Sequence, residues 1–96
     1  MYRVMKRDGA LAEFNIQKIS SVIQKAFEAQ NRQYHPSIID LLALKVTADF
    51  EPKIKNDVIQ VEEIQDSVES VLIQAGYADV AKAFILYRKQ REKIRN

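Results

Sequence analysis

The chain has 96 residues, 47% of them hydrophobic, which is enough for one domain with a buried core. It has no cysteine and one histidine, His35, so disulfides, thiolate metal sites, cysteine nucleophiles, His-based metal cages and Ser-His-Asp triads are excluded. The net charge of +2 is too small to indicate nucleic-acid binding by itself. No apolar run reaches the roughly 18 residues of a membrane span and the first residues do not form a signal peptide, so we expect a cytoplasmic protein with no membrane partner.

The first 14 residues are predicted to form a β-hairpin. Its strands are expected at Tyr2–Lys6 and Ala10–Phe14, on either side of Asp8-Gly9. Asp-Gly between two β-prone runs favours a tight turn, because glycine adopts a positive φ at little steric cost. The turn therefore brings Lys6 and Arg7 next to the element that follows.

A first helix is predicted over Ile16–Asn31, with Asn15 as its N-cap. One buried stripe runs along it, formed by Ile19, Val22, Ile23, Ala26 and Phe27. Lys18 breaks the local rule, since the positive end of the helix dipole disfavours lysine there by ~0.3–1 kcal/mol. A bound polyanion would turn that cost into a benefit, and triphosphate is the natural candidate.

The second helix is predicted over Ile38–Phe50, with Ser37 in a capping box and Pro52 as its stop signal. Its apolar residues lie almost all round the helix, so we expect it to be central or to contact another subunit.

The second half of the chain is predicted to form one strand and two helices. Val58–Val61 is β-branched and suits a third strand, since two strands alone are marginal. Glu62 and Glu63 suit the first turn of a third helix, which continues to Ala75 and ends at Gly76. The fourth helix is expected over Ala78–Ile94. The sequence thus predicts a single α+β domain over residues 1–96, a four-helix bundle capped by a small three-stranded sheet, in which residues 89–96 are a basic helix end or the start of a linker.

Three blocks of residues in this order resemble a known family. They are Lys6-Arg7-Asp8-Gly9 with Phe14-Asn15 and Lys18-Ile19, then Val61-Glu62-Glu63-Ile64-Gln65-Asp66, and finally Tyr87-Arg88-x-x-Arg91. Together they resemble the ATP-cone domain, the regulatory module at the N-terminus of ribonucleotide reductases and a part of the zinc-ribbon repressor of reductase genes. The similarity covers Val4 to Arg91, and it looks closest to the anaerobic ribonucleoside-triphosphate reductases.

The resemblance implies a nucleotide site with a role for each matching residue. Val4 and Ile19 would flank the adenine, Lys6, Arg7 and Lys18 would meet the phosphates, and Asn15 would lie on the ribose or phosphate side. Arg88 and Arg91, one helical turn apart, would approach the triphosphate together. Val61 and Gln65 stand where other branches carry a hydroxyl residue and a histidine, and Ala12 stands where some members have an acidic residue.

The resemblance also implies the ligands and partners. ATP or dATP with Mg²⁺ would be the effector, ATP activating and dATP inhibiting, usually through a change in quaternary structure. A reductase catalytic core, in cis or in trans, would be the partner, and the domain would form a nucleotide-dependent homo-oligomer. One or two nucleotides per cone occur in the family, and the metal ligands are unknown.

Other interpretations stay open at this point. Lys6 and Arg7 could be solvated edge-strand charges, and the basic end of the fourth helix could simply complement its dipole. The chain could be a small nucleic-acid-binding module, or a helical protein-interaction module without a ligand. Catalysis is not expected, because two glycines allow neither a Walker A loop nor a Rossmann fingerprint, and reductase radical chemistry needs cysteines that this chain lacks.

Overall fold

The structure, a computed structural model, describes residues 1–95, with the side chains of residues 1–92. Its elements in chain order are β1 (Arg3–Met5), β2 (Leu11–Glu13), α1 (Ile16–Ala29), α2 (Pro36–Phe50), a 3-10 turn (Glu51–Lys53), β3 (Val58–Gln60), α3 (Val61–Gln74) and α4 (Ala78–Arg95). The predicted α+β class, with four helices and a three-stranded sheet, is confirmed. Residue 96, the last of the predicted basic stretch 89–96, lies outside the described residues.

The sheet has β1 at its centre, in the order β2-β1-β3. β1 runs antiparallel to β2, where Val4 is opposite Ala12, and parallel to β3, where Val4 is opposite Ile59. Parallel strands need a crossover connection, and here α1 and α2 provide it. Because opposed residues share a face of a pleated sheet, Val4, Ala12 and Ile59 all lie on the face that is packed against the helices.

Aromatic rings join the sheet to the helical bundle. The ring centroids of Tyr2 and Phe14 are 4.7 Å apart, and those of Phe14 and Phe50 are 5.8 Å apart. Phe50, at the end of α2, belongs to the core together with Phe27 and Phe84, and each of the three is at most 2% exposed. The hairpin is therefore held in a fixed position over the bundle by one end of its inner face.

Two helix starts differ from the sequence-based predictions. α2 begins at Pro36, and its N-cap is His35, whose Nδ1 accepts a hydrogen bond from the Ser37 backbone N–H at 3.2 Å. The predicted Ser37 cap was wrong because a proline suits the first helical position, which moves the cap one residue upstream of it. Val61, predicted to end the third strand, is the first residue of α3.

The helix ends follow backbone chemistry. α1 stops at Ala29, short of the predicted Asn31, and Asn31 itself adopts a positive φ of 52° that closes the turn. α3 ends at Gln74 with Ala75 as its C-cap, and Gly76 follows with a φ of 90°, as its predicted role at the helix end requires. Just after the first of these turns, the Arg32 guanidinium binds Asp79 at 2.7 Å. It also lies over the Tyr77 ring, 4.9 Å from the ring centre. The α1–α2 loop is thereby tied to the start of α4.

The turn before β3 was not predicted from the sequence. Asn56 and Asp57 both adopt positive φ, at 53° and 59°, and the backbones of Lys55 and Val58 exchange hydrogen bonds of 3.0 and 2.9 Å. Two central residues with positive φ define the tight turn that Asn and Asp tolerate better than most residues. This turn places β3 beside β1.

α2 is only partly covered by the rest of the chain. Its inner face is buried through Ile39, Leu42, Ala43, Val46 and Phe50. On its outer face Leu41 is 47% exposed and Leu44 is 59% exposed. In the part of the chain that the structure describes, no helix is long and apolar enough to cross a membrane.

Candidate functional site

A cavity of about 260 Å³ lies between the hairpin, α1, α3 and α4. Its volume is slightly below the usual range for small-molecule sites, roughly 300–1,000 Å³. One wall is apolar, and the rest is lined by polar and charged side chains, most of the charged ones cationic. The lining residues are Val4, Lys6, Arg7, Ala12, Glu13, Phe14, Asn15, Lys18, Ile19, Val22, Val61, Ile64, Gln65, Val68, Phe84, Tyr87 and Arg91.

The hairpin turn positions two of the cations. The Gly9 backbone N–H donates to the Lys6 carbonyl at 2.9 Å, and the Lys6 N–H donates to the Ala10 carbonyl at 2.8 Å. Asp8 accepts a hydrogen bond from the Ala10 N–H at 3.0 Å, and Gly9 adopts a φ of 87°. This turn, predicted from the sequence, keeps Lys6 and Arg7 at the rim of the cavity.

The N-terminus of α1 supplies a second positive region. The Asn15 side chain accepts a hydrogen bond from the Gln17 backbone N–H at 2.9 Å, which confirms the predicted N-cap. The first turn of α1 contains no acidic residue, and Lys18 lies at its third position with an exposed side chain. The partial positive charge of the helix end and the lysine therefore add together, which favours an anion at this point.

The apolar wall comes from three helices and the sheet. Ile19 and Ile64 are buried at 6% and 8% exposure, and Phe84 is buried beside the half-buried Tyr87. The rings of Phe84 and Tyr87 lie 6.3 Å apart. Val4 faces this wall from the centre of the sheet. An apolar ligand group could be buried against this wall, which is an environment that suits a nucleobase.

Arg7 is held by several groups at once. Its Nη2 donates to Gln65 Oε1 at 2.6 Å and lies 3.2 Å from Glu92 Oε1, while its Nη1 lies 3.7 Å from Glu62 Oε1. The Arg7 side chain is only 17% exposed, whereas those of Glu62 and Glu92 are 60% and 47% exposed. The arginine thus links the hairpin turn to α3 and to α4.

The other three lining cations have no such carboxylate partners. Lys6, Lys18 and Arg91 form no ion pair with another residue whose side chain the structure describes. Three cations around one concave site repel each other. A bound polyanion would neutralise this repulsion, which is the electrostatic condition for anion binding.

Arg88 does not line the cavity. Its Nη1 donates to Asp66 at 2.8 Å and to Glu69 at 2.9 Å, and its Nη2 contacts the Glu62 carbonyl at 3.4 Å. Burial by itself lowers the pKa of Arg88, but the hydrogen bonds to Asp66 and Glu69 outweigh it and raise that pKa above its ordinary value. In this structure Arg88 clamps α4 to α3, so the anion that Arg88 and Arg91 were expected to share is not supported.

The sequence-based site and the cavity otherwise coincide closely. Every residue of the predicted set except Arg88 lies on the cavity: Val4, Lys6, Arg7, Asn15, Lys18, Ile19, Val61, Gln65 and Arg91. The residues that the sequence did not indicate as site residues are mainly apolar, such as Val22, Val68 and Phe84. Their helical spacing predicts that they are buried, but it does not distinguish a residue of the core from a residue of a cavity wall. No group of three or more potential metal ligands occurs among the described residues.

Comparison with known proteins gives a family match over residues 2–93, to the ATP cone domain. The chain belongs to the ATP-cone family. It is 43% identical to the ribonucleoside-diphosphate reductase subunit alpha of Chlamydia pneumoniae, over 96% of this chain and 9% of that protein. It is 40% identical to the vitamin B12-dependent ribonucleoside-diphosphate reductase of Thermoplasma acidophilum, over 96% of this chain and 12% of that protein.

A third relative belongs to another reductase type. The anaerobic ribonucleoside-triphosphate reductase of Haemophilus influenzae is 34% identical over 98% of this chain and 13% of its own length. The ATP-cone chain therefore spans only about a tenth of the length of these relatives. The expected resemblance to ribonucleotide reductases is confirmed, whereas the preference for the anaerobic branch in particular is not.

Proposed function

We propose that this ATP-cone domain is an allosteric sensor that binds ATP or dATP in the cavity beneath its hairpin. The observation that carries the proposal is the joining of an apolar wall to four cations in one concave site. An adenine ring needs the first of these features and a triphosphate needs the second. The family match over residues 2–93 supports the same ligand class.

The arrangement suggests how the nucleotide is oriented. The base would enter between Val4 and Ile19, where the wall is apolar. The phosphates would extend toward Lys6 and Lys18 and the N-terminus of α1, where backbone N–H groups and the helix dipole favour negative charge. Asn15 and Gln65 also line the cavity and add uncharged polar groups to it. The chain's residues thus match an amphipathic ligand of which only one end is charged.

Magnesium would arrive with the nucleotide. Mg²⁺ keeps several of its waters and is commonly held by phosphates with only one or two protein carboxylates. The described residues contain no dedicated cage of three or more metal-binding side chains. We propose that the metal serves the effector's phosphates and has no catalytic part.

We further propose that the domain regulates a ribonucleotide reductase core through its oligomeric state. Support comes from the three reductase relatives and from the outer face of α2, where Leu41 and Leu44 are exposed. Exposed apolar side chains that adjoin one another commonly mark protein contacts. Light scattering of the 96-residue chain should give a larger mass with dATP than without it. A monomer mass at every concentration, with and without dATP, would refute self-association of this chain.

Binding itself is tested by calorimetry and thermal melting with ATP, dATP and AMP, each with Mg²⁺. A ligand that binds only the folded state, at a hundredfold excess over its Kd, stabilises it by about 2.7 kcal/mol, which raises the Tm of a domain of this size by roughly 10 to 20 °C. AMP should raise it much less, because the cations are spaced for more than one phosphate. Equal shifts with AMP and ATP would refute the triphosphate assignment.

Titrations at several salt concentrations, with ATP and with an oligonucleotide, separate the nucleotide sensor from a nucleic-acid binder. A protein that neutralises many backbone phosphates loses affinity steeply as salt rises, with a slope set by their number. The cavity cations converge on one site, so we expect saturable binding of one free nucleotide per cavity. Binding of oligonucleotides but not of ATP would favour the alternative function.

A further inference from the structure

Arg7 differs from the other cations of the cavity because carboxylates already surround it. Nη2 of Arg7 donates to Gln65 and also lies 3.2 Å from Glu92 Oε1. Glu62 is farther from the guanidinium, at 3.7 Å, and contacts Nη1. Glu92 is thus the carboxylate that lies nearest to the nitrogen already engaged by Gln65.

The geometry of the guanidinium makes Nη2 of Arg7 essential for tight phosphate binding. Arginine grips a phosphate best through two parallel N–H bonds. Such a pair uses either Nε with Nη2 or Nη1 with Nη2, so each two-bond grip includes Nη2. A phosphate oxygen that binds Nη2 of Arg7 must therefore take the place of the Glu92 carboxylate, whose Oε1 lies 3.2 Å from that nitrogen.

We propose that Glu92 competes with the phosphates of the nucleotide for Arg7 and thereby sets the affinity of the site. This proposal rests on the proposed function, because it takes a polyphosphate ligand as given. Glu92 belongs to α4, whereas Arg7 belongs to the hairpin turn, so the two elements are joined by this ion pair. Phosphate binding to Arg7 exchanges a contact between hairpin and α4 for a contact between hairpin and ligand.

Charge and exposure set the size of the effect. Glu92 is 47% exposed, so water and salt screen much of its interaction. The Arg7 side chain is only 17% exposed, so the ion pair that a phosphate must displace from it is worth more than a fully exposed pair. We expect Glu92→Gln to bind ATP roughly 3- to 10-fold more tightly than the native chain, with a gain that shrinks as salt rises.

Glu69→Gln is the matched control. It removes the same charge from the domain, but Glu69 binds Arg88 at 2.9 Å, and neither residue lines the cavity. We expect its ATP affinity to change by less than about twofold. Calorimetric titrations of the native chain, Glu92→Gln and Glu69→Gln, with melting curves to confirm folding, form the first part of the experiment.

The second part repeats the change in an Arg7→Gln background. If Glu92 acts by occupying Arg7, the gain from Glu92→Gln should fall there to less than about twofold, because non-additivity reports a shared partner. A gain of full size in that background would show repulsion through space and would overturn the competition.

Other outcomes would also refute the proposal. Equal ATP binding by Glu92→Gln would mean that Glu92 does not affect the site, and weaker binding would mean that it positions Arg7 for the ligand. Either result refutes the proposal while the sensor function stands. An equal gain in Glu69→Gln would make the effect one of net charge and refute it too. Failure of the native chain itself to bind ATP would refute the proposed function, and this inference would fall with it.

Discussion

Replacing Lys18 with glutamate separates the two roles that this residue has in the structure. Lys18 occupies the third position of α1, where its backbone N–H contacts the Asn15 carbonyl at 3.0 Å. Its side chain is exposed and lines the cavity. As a cation at the helix start it should weaken the free domain, and as a phosphate ligand it should strengthen ATP binding.

The expected changes have opposite signs. Lys18→Glu removes an unfavourable dipole interaction and adds a favourable one, so the free domain should gain ~0.5–2 kcal/mol at low salt. A glutamate at this position can also reach back to the Asn15 backbone N–H and complete a capping box. The same change removes a charge-assisted contact to phosphate and introduces repulsion, a loss of at least ~1.5–3 kcal/mol or roughly 10- to 150-fold in Kd.

Thermal melting without nucleotide and calorimetry with ATP and Mg²⁺ measure the two effects on one preparation. The gain in the free domain corresponds to an increase in Tm of about 2 to 15 °C. Lys25→Glu is the control, since Lys25 is exposed on the same helix but does not line the cavity. If Lys18→Glu leaves ATP binding intact and lowers the Tm, the phosphate site has been placed wrongly and Lys18 is a structural residue.

Two further predictions concern stability. The buried Ser67 hydroxyl has no hydrogen-bond partner among the described residues, so Ser67→Ala should leave the free energy of unfolding unchanged or raise it by about 1 kcal/mol in chemical denaturation. A hydrogen bond from Arg32 lowers the pKa of Asp79 below its ordinary value of 3.8, so Asp79 stabilises the fold above the unfolded-state pKa and less as pH falls through the folded-state pKa. The native chain should therefore be more stable than Asp79→Asn at neutral pH, and the difference between their denaturation midpoints should shrink as pH falls through the folded-state pKa of Asp79. A difference that does not depend on pH would contradict this.

The parts of the structure that the sequence predicted well are those that local chemistry determines. Gly9 supplies a positive φ, Asn15 caps the helix that follows it, and Gly76 ends α3. Each of these signals involves residues within a few positions of one another. The N-cap at His35 was not predicted, because histidine is not a preferred N-cap residue.

The role of Arg88 could not be predicted from neighbouring residues in the sequence. The sequence places Arg88 and Arg91 on one helical face, and both could serve one anion. Which of them turns toward the cavity depends on how α4 packs, and Val80, Ala81 and Phe84 fix that by burying one side of the helix. Asp66 and Glu69, one turn apart on α3, then face Arg88. No feature of α4 alone encodes this pairing.

The cavity itself follows from the sizes of side chains on one face of the sheet. At one end of the inner face the rings of Tyr2 and Phe14 pack against Phe50 and fill the space above the bundle. Toward the other end the cross-strand pair is Val4 and Ala12, whose small side chains cannot fill the same depth. The hairpin is held down where it is aromatic and leaves a gap where it is small. Because the turn and its cations lie beyond that small pair, the gap opens directly beneath the positive charge.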